Sequence, residues 1–215
     1  KETGGITPRQ QLQEVIRNLP HVAILDLSSG IIIKKSDNRL YWKCDTHWTP
    51  LGAYFGYYPI AKQLSRWFSN ITPMRLSDFI TWRDWRYGGD LAMMIGENLN
   101  IRESYLALEP KRGWLSKTGS PDAYYRTHHP PKEADDDRLT IMESTNPDLP
   151  KAVVFGDSFL VKLVAFLAEH FHRAVFHREL LFDEALIQHE KPDVVIVCLI
   201  ERSFHHVLSK RKPPG

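Results

Sequence analysis

The last third of the chain contains segments of two kinds: apolar runs typical of strands, and segments in which apolar residues recur at helical spacing. The runs KAVVF, RAVF and PDVVIVCLI predict strands, and the last of them is apolar throughout, as strands buried on both faces are. The segments FLVKLVAFLAEHF and DEALIQHE lie between these runs and have the spacing of amphipathic helices. Strands that alternate with helices indicate a parallel sheet covered on both faces, so we expect an α/β fold.

The first half of the chain predicts two helices and one strand. Thr7 and Pro8 have the pattern of an N-cap and a first helical residue, and Pro20 ends this helix. Residues 22–27 (VAILDL) predict a strand, and the IIIKKSDNRLYWKC segment that follows is expected to be extended or hairpin-like. Thr49, which precedes a proline, opens a second helix with an apolar face.

Residues 71–150 contain short strand-like pieces, such as ITPMRL and RLTIM, separated by polar loops. The pair His128 and His129 and the acidic run EADDDR occur in this stretch and raise the question of a metal site. No HxxxH or similar spacing places several of these ligands on one face, so a solvated loop is the favoured interpretation. We expect neither a metal nor an organic cofactor.

Length, composition and charge indicate the number of domains and exclude some kinds of partner. With 215 residues, of which 42% are hydrophobic, the chain fits one domain with one core. The formal net charge is +2 and charges of both signs are interspersed, so nothing indicates nucleic acid or an anionic membrane as a partner. No stretch approaches the roughly 20 apolar residues that span a bilayer. We expect a single domain over residues 1–215, with ends that could be trimmed and a tail or linker from about residue 209.

The chain has two cysteines, and three roles can be considered for them: zinc binding, a buried free thiol and a disulfide. Cys44 and Cys198 cannot form a zinc framework and are too few for a disulfide-rich scaffold. Cys198 lies in the apolar run VVIVCLI, which predicts an inert buried thiol. A disulfide between the two cysteines stays open as an alternative, because both are expected near the same edge of the fold.

The tetrapeptide GDSF directly follows the predicted strand KAVVF. Gly156 permits a tight turn, and Ser158 is expected at the carboxyl end of the strand, where α/β sheets bind ligands. A helix that begins there would direct free backbone N–H groups toward a developing oxyanion. Ser158 is therefore a candidate nucleophile, although a serine at such a junction often only caps the helix.

A serine hydroxyl needs a base, and the motif DTHW supplies a histidine with a nearby carboxylate. In an extended segment Asp45 and His47 project to the same side, so Asp45 could orient the ring while its other nitrogen faces a nucleophile. A simpler interpretation is that Asp45 or Thr49 caps the following helix and that His47 is structural. Trp48 could shield the pair from water, although tryptophans beside a helix start more often serve packing.

The blocks DTHWTPLGA, GGDLA, VVFGDSF, FLAEHF and PDVVI…ERSF occur in this order across residues 10–208. In order and rough spacing they resemble the SGNH-hydrolase-like domain of the alginate O-acetyltransferases AlgX and AlgJ, in which the DxHW motif precedes the serine motif. The resemblance implies a flavodoxin-like, SGNH-type fold, a three-layer α/β/α arrangement with a mostly parallel sheet. It also implies that the whole chain is one catalytic domain.

Carried over to this chain, the resemblance implies roles for the motif residues. Ser158 would be the nucleophile, His47 the general base and acid, and Asp45 the residue that orients the ring. The backbone N–H groups of Ser158 and of Gly89, in the GGDLA block, would form the oxyanion hole. Arg202 would contact substrate, unless it forms a structural ion pair with Glu201. Two more candidates for substrate contact lie within the motifs: Trp48 in DTHW and Asp157 in GDSF.

The resemblance also implies a reaction and a location. The protein would work in the periplasm or another extracytoplasmic compartment, receive acetyl groups through a membrane-bound O-acyltransferase, and pass them to hydroxyls of an exported polysaccharide. An acetyl esterase acting on glycans would use the same triad. A glycan-binding subunit with an inactive triad is a third alternative. Nothing in the sequence identifies the polysaccharide as alginate.

Overall fold

The computed structural model describes residues 8–36, 38–129 and 138–203. The α-helices of these residues are α1 Pro8–Ile16, α2 Ser28–Lys35, α3 Pro50–Trp67, α4 Asp90–Met94, α5 Ala123–His128, α6 Val164–Ala168 and α7 Glu184–Glu190. The strands are β1 Phe79–Tyr87, β2 Arg102–Pro110, β3 Lys117–Thr118, β4 Leu139–Glu143, β5 Lys151–Gly156, β6 Arg173–His177 and β7 Val194–Cys198. The same residues also contain the 3-10 helices Leu76–Asp78, Ser158–Lys162 and Glu201–Ser203.

Five strands form one sheet in the order β3-β4-β6-β5-β7. β5 is parallel to β6 and to β7, and helices connect these three strands, as the sequence predicts. β4 is antiparallel to both of its neighbours, β3 and β6. The described sheet is therefore mixed, not mostly parallel as we expected. Residues 144–150, between β4 and β5, are too few for the crossover connection that would make β4 parallel to β5.

Helices cover both faces of this sheet. Along β5, Ala152 and Val154 face a core cluster that includes α3 and α6, whereas Val153 and Phe155 face a second cluster with α5 and α7. Each of these four side chains is at most 2% exposed. The described residues thus form a three-layer α/β/α arrangement in which β5 is buried on both sides.

Helix α3 packs closely against the segment that precedes it. Thr49 is its N-cap, as predicted, because the Thr49 hydroxyl accepts a hydrogen bond from the backbone N–H of Gly52. The Thr49 N–H donates to the Leu40 carbonyl at 2.8 Å. A Cβ on Gly52 would lie only 2.0 Å from that carbonyl oxygen, so glycine lets the segment with the DTHW motif cross the first turn of α3.

Residues 22–27 do not form the predicted strand. Val22 and Leu25 are 50% and 37% exposed, and no strand pairs with them within the part of the chain that the structure describes. The IIIKK run after them is helical, in α2, and not extended. Asp26 forms a local turn where this helix begins, because its Oδ1 accepts hydrogen bonds from the N–H and the hydroxyl of Ser28, at 2.9 and 2.6 Å. Local hydrogen bonds of this kind compete with strand pairing.

Three other expectations need correction, and two stay open. The predicted helix FLVKLVAFLAEHF is divided into the 3-10 helix Ser158–Lys162 and α6. β7 is an edge strand of the described sheet, so Val195 and Val197 are 37% and 42% exposed although the strand was expected to be buried. ITPMRL forms no strand, whereas RLTIM corresponds to β4. The predicted cap Thr7 and the tail from residue 209 lie outside the described residues.

β1 and β2 form a separate antiparallel hairpin that the sequence did not predict. Phe79, at its base, is 4% exposed and belongs to the main core, whereas most other side chains of β1 are exposed. The connection between the two strands carries the GGDLA block and α4. This hairpin places Arg86 and Gly89 against the segment with the DTHW motif.

Cys44 and Cys198 are both free thiols in the structure. Burial raises the pKa of Cys198 to about 12, and the nearby Asp157 acts in the same direction. A thiol with such a pKa is almost fully protonated near neutral pH, as expected for an unreactive cysteine. Among the helices that the structure describes, none has the length and apolarity needed to cross a bilayer.

Two glycine-to-alanine substitutions should have opposite effects on stability. Gly52→Ala should destabilise the fold by about 1–3 kcal/mol or more, because the new Cβ would overlap the Leu40 carbonyl. Gly30→Ala should stabilise it by about 0.5–1 kcal/mol, because Gly30 is helical and a Cβ added there would meet no atom within 4 Å. The free energies of unfolding in urea measure both. A stabilising Gly52→Ala would contradict the packing described here.

Candidate active site

Ser158 follows the carboxyl end of β5, between β6 and β7. A Cβ on Gly156 would lie 2.7 Å from the Cys198 carbonyl oxygen, so glycine allows the end of β5 to approach β7. Asp157 then fixes the turn: its Oδ1 accepts a hydrogen bond from Phe159 N at 3.0 Å. Its Oδ2 accepts from Ile200 N at 2.9 Å and from the Ser203 hydroxyl at 3.0 Å. Both carboxylate oxygens thus hold the serine turn against the end of β7.

Ser158, His47 and Asp45 form a continuous hydrogen-bonded chain. The Ser158 Oγ lies 2.7 Å from His47 Nε2, and His47 Nδ1 lies 2.6 Å from Asp45 Oδ1. The same Asp45 oxygen accepts a hydrogen bond from the His47 backbone N–H at 2.9 Å. With Nδ1 donating to the carboxylate, Nε2 can accept the serine proton. The structure therefore brings together the three residues that the sequence motifs suggested.

Arg86, which the sequence did not single out, completes the environment of Asp45. Its guanidinium donates to Asp45 Oδ2 at 2.7 Å and stacks over the Trp42 ring at 4.1 Å from the centroid. Burial opposes ionisation of Asp45, but the hydrogen bonds from Arg86 and from His47 outweigh it and lower the pKa of Asp45 to about 2. The carboxylate is therefore charged throughout the physiological pH range.

The GGDLA block packs against the DTHW segment. Asp90 Oδ1 accepts a hydrogen bond from Thr46 N at 2.7 Å, and its Oδ2 accepts from the Thr46 hydroxyl. The Cys44 carbonyl accepts from the first turn of α4. Gly89 has a φ of +134°, and a Cβ there would lie 2.0 Å from the Cys44 carbonyl oxygen. Asp90 and Gly89 thus fix the backbone on which Asp45 and His47 stand.

Glu103 supports the same segment from β2. It is 5% exposed, and its carboxylate accepts hydrogen bonds from Lys43 N at 2.9 Å and from Cys44 N at 3.4 Å. Neither Arg86 nor Glu103 lies in a recognisable motif. Asp90 could have been found from the sequence, because it stands in the GGDLA block beside the glycine that we did single out.

The backbone N–H groups of Ser158 and Gly89 make no hydrogen bond that the structure records among the described residues. Both were expected to serve an oxyanion, and both adjoin the hydrogen-bonded chain. The element that begins at Ser158 is a short 3-10 helix, so its dipole is smaller than that of the long helix we expected. Individual N–H donors would therefore contribute more to stabilising an oxyanion here than a helix dipole would.

The structure places the three expected substrate contacts differently. Trp48 is 5% exposed and packs against Phe159, with ring centroids 5.3 Å apart, so it lies in the core. Asp157 uses both oxygens within the protein, as described above, which favours a positioning role. Arg202 is exposed on the 3-10 helix Glu201–Ser203, and the structure records no ion pair between it and Glu201. Substrate contact by Arg202 stays a prediction.

Asp45, His47 and Asp90 also lie close enough together to be considered as metal ligands. The 2.6 Å between His47 Nδ1 and Asp45 Oδ1 is the distance of a hydrogen bond. Ligand atoms that share a tetrahedral metal ion lie about 3.3 Å apart, given metal–ligand distances of about 2.0–2.1 Å. The geometry therefore favours a proton between these two atoms over a metal ion.

Taken together, the molecule is an α/β domain with a serine, a histidine and a carboxylate in hydrogen-bond contact at the carboxyl edge of its sheet. Residues 7–179 match the family described as SGNH hydrolase-like domain, acetyltransferase AlgX. Because this match covers most of the chain, the chain belongs to that family, and the resemblance drawn from the sequence motifs is confirmed. No curated protein matches the chain.

The chain is similar to several solved structures. One is a DHHW family protein from Eubacterium siraeum DSM 15702, with a TM-score of 0.64, 16% identity, and coverage of 91% of this chain and 70% of that one. Another is Bacillus cereus PatB1, with a TM-score of 0.62, 19% identity, and coverage of 91% and 75%. PatB1 with a sulfonyl adduct gives a TM-score of 0.62 at 19% identity, with coverage of 91% and 74%. At such identities the likeness shows the fold.

Arg86→Gln should destabilise the protein in a pH-dependent way. A lowered pKa gives Asp45 a stabilising contribution that is present above about pH 4 and is lost as the pH falls toward 2. Loss of Arg86 moves that pKa back up, so the variant should be less stable by about 1–3 kcal/mol near pH 7. The difference should narrow as the pH falls below about 4. Urea unfolding near pH 7 and below pH 4 measures this difference in the free energy of unfolding.

Arg83→Gln is the matched control for this experiment. Arg83 is exposed on the same strand, and its guanidinium donates to the Ser104 hydroxyl at 3.1 Å and makes no contact with Asp45 that the structure records. Its substitution should change the free energy of unfolding by less than about 0.5 kcal/mol. Equal effects of the two substitutions, or no pH dependence for Arg86→Gln, would refute the role assigned to Arg86.

Proposed function

We propose that this protein is an O-acetyltransferase that transfers acetyl groups to hydroxyls of an exported polysaccharide through an acetyl-serine intermediate. The observation that carries the proposal is the unbroken hydrogen-bonded chain from Ser158 through His47 to Asp45, in a member of a family named for an acetyltransferase. Arg86 keeps Asp45 ionised, so the His47 ring is held in the tautomer that accepts a proton at Nε2.

The first half of the proposed reaction loads the serine. His47 Nε2 takes the proton of the Ser158 hydroxyl as Oγ attacks the carbonyl carbon of an acetyl ester. The carbonyl oxygen becomes an oxyanion, which the N–H groups of Ser158 and Gly89 would stabilise. The tetrahedral intermediate collapses when the C–O bond to the leaving alcohol breaks and His47 returns the proton to that alcohol. Acetyl-Ser158 remains.

The second half reverses these roles with a new alcohol. A sugar hydroxyl gives its proton to His47 Nε2 and attacks the acetyl carbonyl carbon. The bond to Ser158 Oγ then breaks, and the proton passes from His47 to Oγ. The acetyl group is now an ester of the sugar, and the enzyme has regained its starting state. No redox change occurs, and every proton is carried by the same imidazole.

The family supports a proposal about location and partners. For the AlgX and AlgJ type of protein, acetyl groups come from a membrane-bound O-acyltransferase and the acceptor is a polysaccharide on its way out of the cell. We extend both to this chain as proposals, together with an extracytoplasmic location. The exposed Arg202, at the same sheet edge as Ser158, is the candidate contact for an acidic acceptor.

An acetyl esterase is the second candidate function, and exposure of the site favours it. The His47 side chain is 26% exposed, so water can approach the imidazole that would activate the acceptor. Hydrolysis would use the same three side chains and the same acetyl-enzyme. The two functions differ only in whether water or a sugar hydroxyl takes the acetyl group.

Ser158→Ala and His47→Ala should each lower the turnover of p-nitrophenyl acetate by about 10⁴-fold or more. Because the two residues act as a unit, the double variant should be no slower than either single one. A sulfonyl fluoride should label the parent protein at Ser158 and leave Ser158→Ala unlabelled, as mass spectrometry of peptides would show. PatB1, which shares the fold, is known with a sulfonyl adduct.

The matched control is Ser65→Ala, on the exposed side of α3, where the Ser65 hydroxyl donates to the Lys62 carbonyl. This variant should keep full turnover and labelling. Unchanged turnover in Ser158→Ala would end the nucleophile assignment. An unlabelled, inactive parent protein that still binds oligosaccharides would instead identify a glycan-binding subunit.

Transfer and hydrolysis can be separated in one incubation. The protein is mixed with p-nitrophenyl acetate and a set of neutral and uronic oligosaccharides, and acetate release and acetylated oligosaccharide are measured in parallel. We expect acetylated oligosaccharide that Ser158→Ala does not produce, because the acetyl-enzyme must be its source. Acetate release at the parent rate, with no acetylated product from any acceptor, would replace the transferase by the esterase.

A further inference from the structure

A second cluster of ionisable side chains lies away from the Ser158 site. His129 is the C-cap residue of α5, His177 is the last residue of β6, and Asp183 is the N-cap residue of α7. His177 is 9% exposed, and the His129 side chain is 14% exposed. Three separate elements thus bring two imidazoles and one carboxylate together in a largely buried place.

Two imidazole nitrogens of this cluster lack a hydrogen-bond partner in the described part of the chain. They are the buried His129 Nε2 and the buried His177 Nδ1. Buried polar atoms are nearly always paired, because an unpaired one loses its contact with water without compensation. Apart from the 3.5 Å ion pair between His129 Nε2 and Asp183 Oδ2, neither nitrogen has a recorded polar contact, so both are available to a further partner.

The positions of these atoms suit a metal ion. His129 Nε2 lies 3.5 Å from Asp183 Oδ2, and all three potential ligand atoms lie within 4.8 Å of one another. Ligands of a tetrahedral Zn²⁺ site are about 3.3 Å apart, so the 3.5 Å between His129 and Asp183 is already close to this spacing, and the other two pairs lie within 4.8 Å. The two imidazole rings lie 5.1 Å apart, between centroids, at an interplanar angle of 82°.

The carboxylate is already oriented for such a role. Asp183 Oδ1 accepts a hydrogen bond from Leu186 N at 2.9 Å as the N-cap of α7, which leaves Oδ2 facing His129. A hydrogen bond to the second oxygen of a ligating carboxylate is the usual support of a metal site. Neighbouring histidines are used elsewhere: His128 Nδ1 contacts the Tyr124 carbonyl at 3.0 Å, and His189 Nε2 contacts Asp122 at 3.0 Å.

We propose that His129, His177 and Asp183 form a binding site for a divalent transition-metal ion of the Zn²⁺ type. Two imidazoles and a carboxylate are the ligands that Zn²⁺ accepts, and three protein ligands leave a fourth position for solvent. The bound ion would tie the ends of α5, β6 and α7 together. This site is independent of the acetyl-transfer proposal, because it shares no residue with Ser158, His47 and Asp45. This proposal differs from our expectation of no metal, which rested on sequence spacing, because the ligands come from three elements.

The test is Zn²⁺ binding by the whole chain. After treatment with EDTA, equilibrium dialysis against Zn²⁺ should give one tightly bound ion per chain, and Co²⁺ should give the visible absorption of a tetrahedral site. His177→Ala and Asp183→Asn should each weaken binding by more than about 100-fold. Asparagine is also a good N-cap, so Asp183→Asn should fold normally, as circular dichroism would show.

The controls separate this cluster from other metal-binding groups. His128→Ala and His189→Ala remove adjacent imidazoles that are engaged elsewhere, and both variants should bind Zn²⁺ like the parent protein. His47→Ala should also keep the ion, because the ion does not lie in the Ser158 site. The proposal fails if the parent protein binds no stoichiometric Zn²⁺, which would leave a plain ion pair between His129 and Asp183. It also fails if His177→Ala and Asp183→Asn bind Zn²⁺ normally.

Discussion

The carboxylate of Asp45 connects three separate parts of the chain. One oxygen accepts hydrogen bonds from the backbone and the ring of His47, and the other accepts from Arg86 on β1. His47 in turn contacts Ser158, beyond β5. One carboxylate thus links the hairpin, the segment before α3 and the main sheet. Because a buried charge is costly unless its oxygens are paired, each of these contacts supports the others.

Two further aspartates hold the neighbouring loops by the same principle. Asp157 accepts hydrogen bonds from the ends of two segments, at Phe159 and Ile200, and Asp90 accepts from Thr46. In each case a carboxylate satisfies backbone N–H groups that no strand or helix pairs. This explains why DTHW, GGDLA and GDSF each contain an aspartate. The geometry around the serine depends on these hydrogen bonds as much as on the sheet.

The features that could be predicted from the sequence are those that neighbouring residues determine. Strand periodicity located β4 to β7, and the Thr49-Pro50 pair located the start of α3, because both depend on neighbouring residues. The motifs suggested the contact between His47 and Ser158, residues 111 positions apart, but no local rule could establish it. The contact of Arg86 with Asp45 depends on how the hairpin packs against the DTHW segment. Composition and periodicity carry no information about that packing.

The sheet also separates two sets of reactive side chains at one edge. Phe155 pairs with His177 in the parallel register and faces the α5 and α7 side. Phe159 belongs to the core cluster of α3 and contacts the His47 ring, at 4.9 Å between centroids. An ion bound at His177 would therefore rigidify the strand ends from the α5 and α7 side of the sheet and would not enter the Ser158 site. In the proposed reaction, the choice between water and a sugar hydroxyl would depend on what covers the opposite face, where His47 is partly open to solvent.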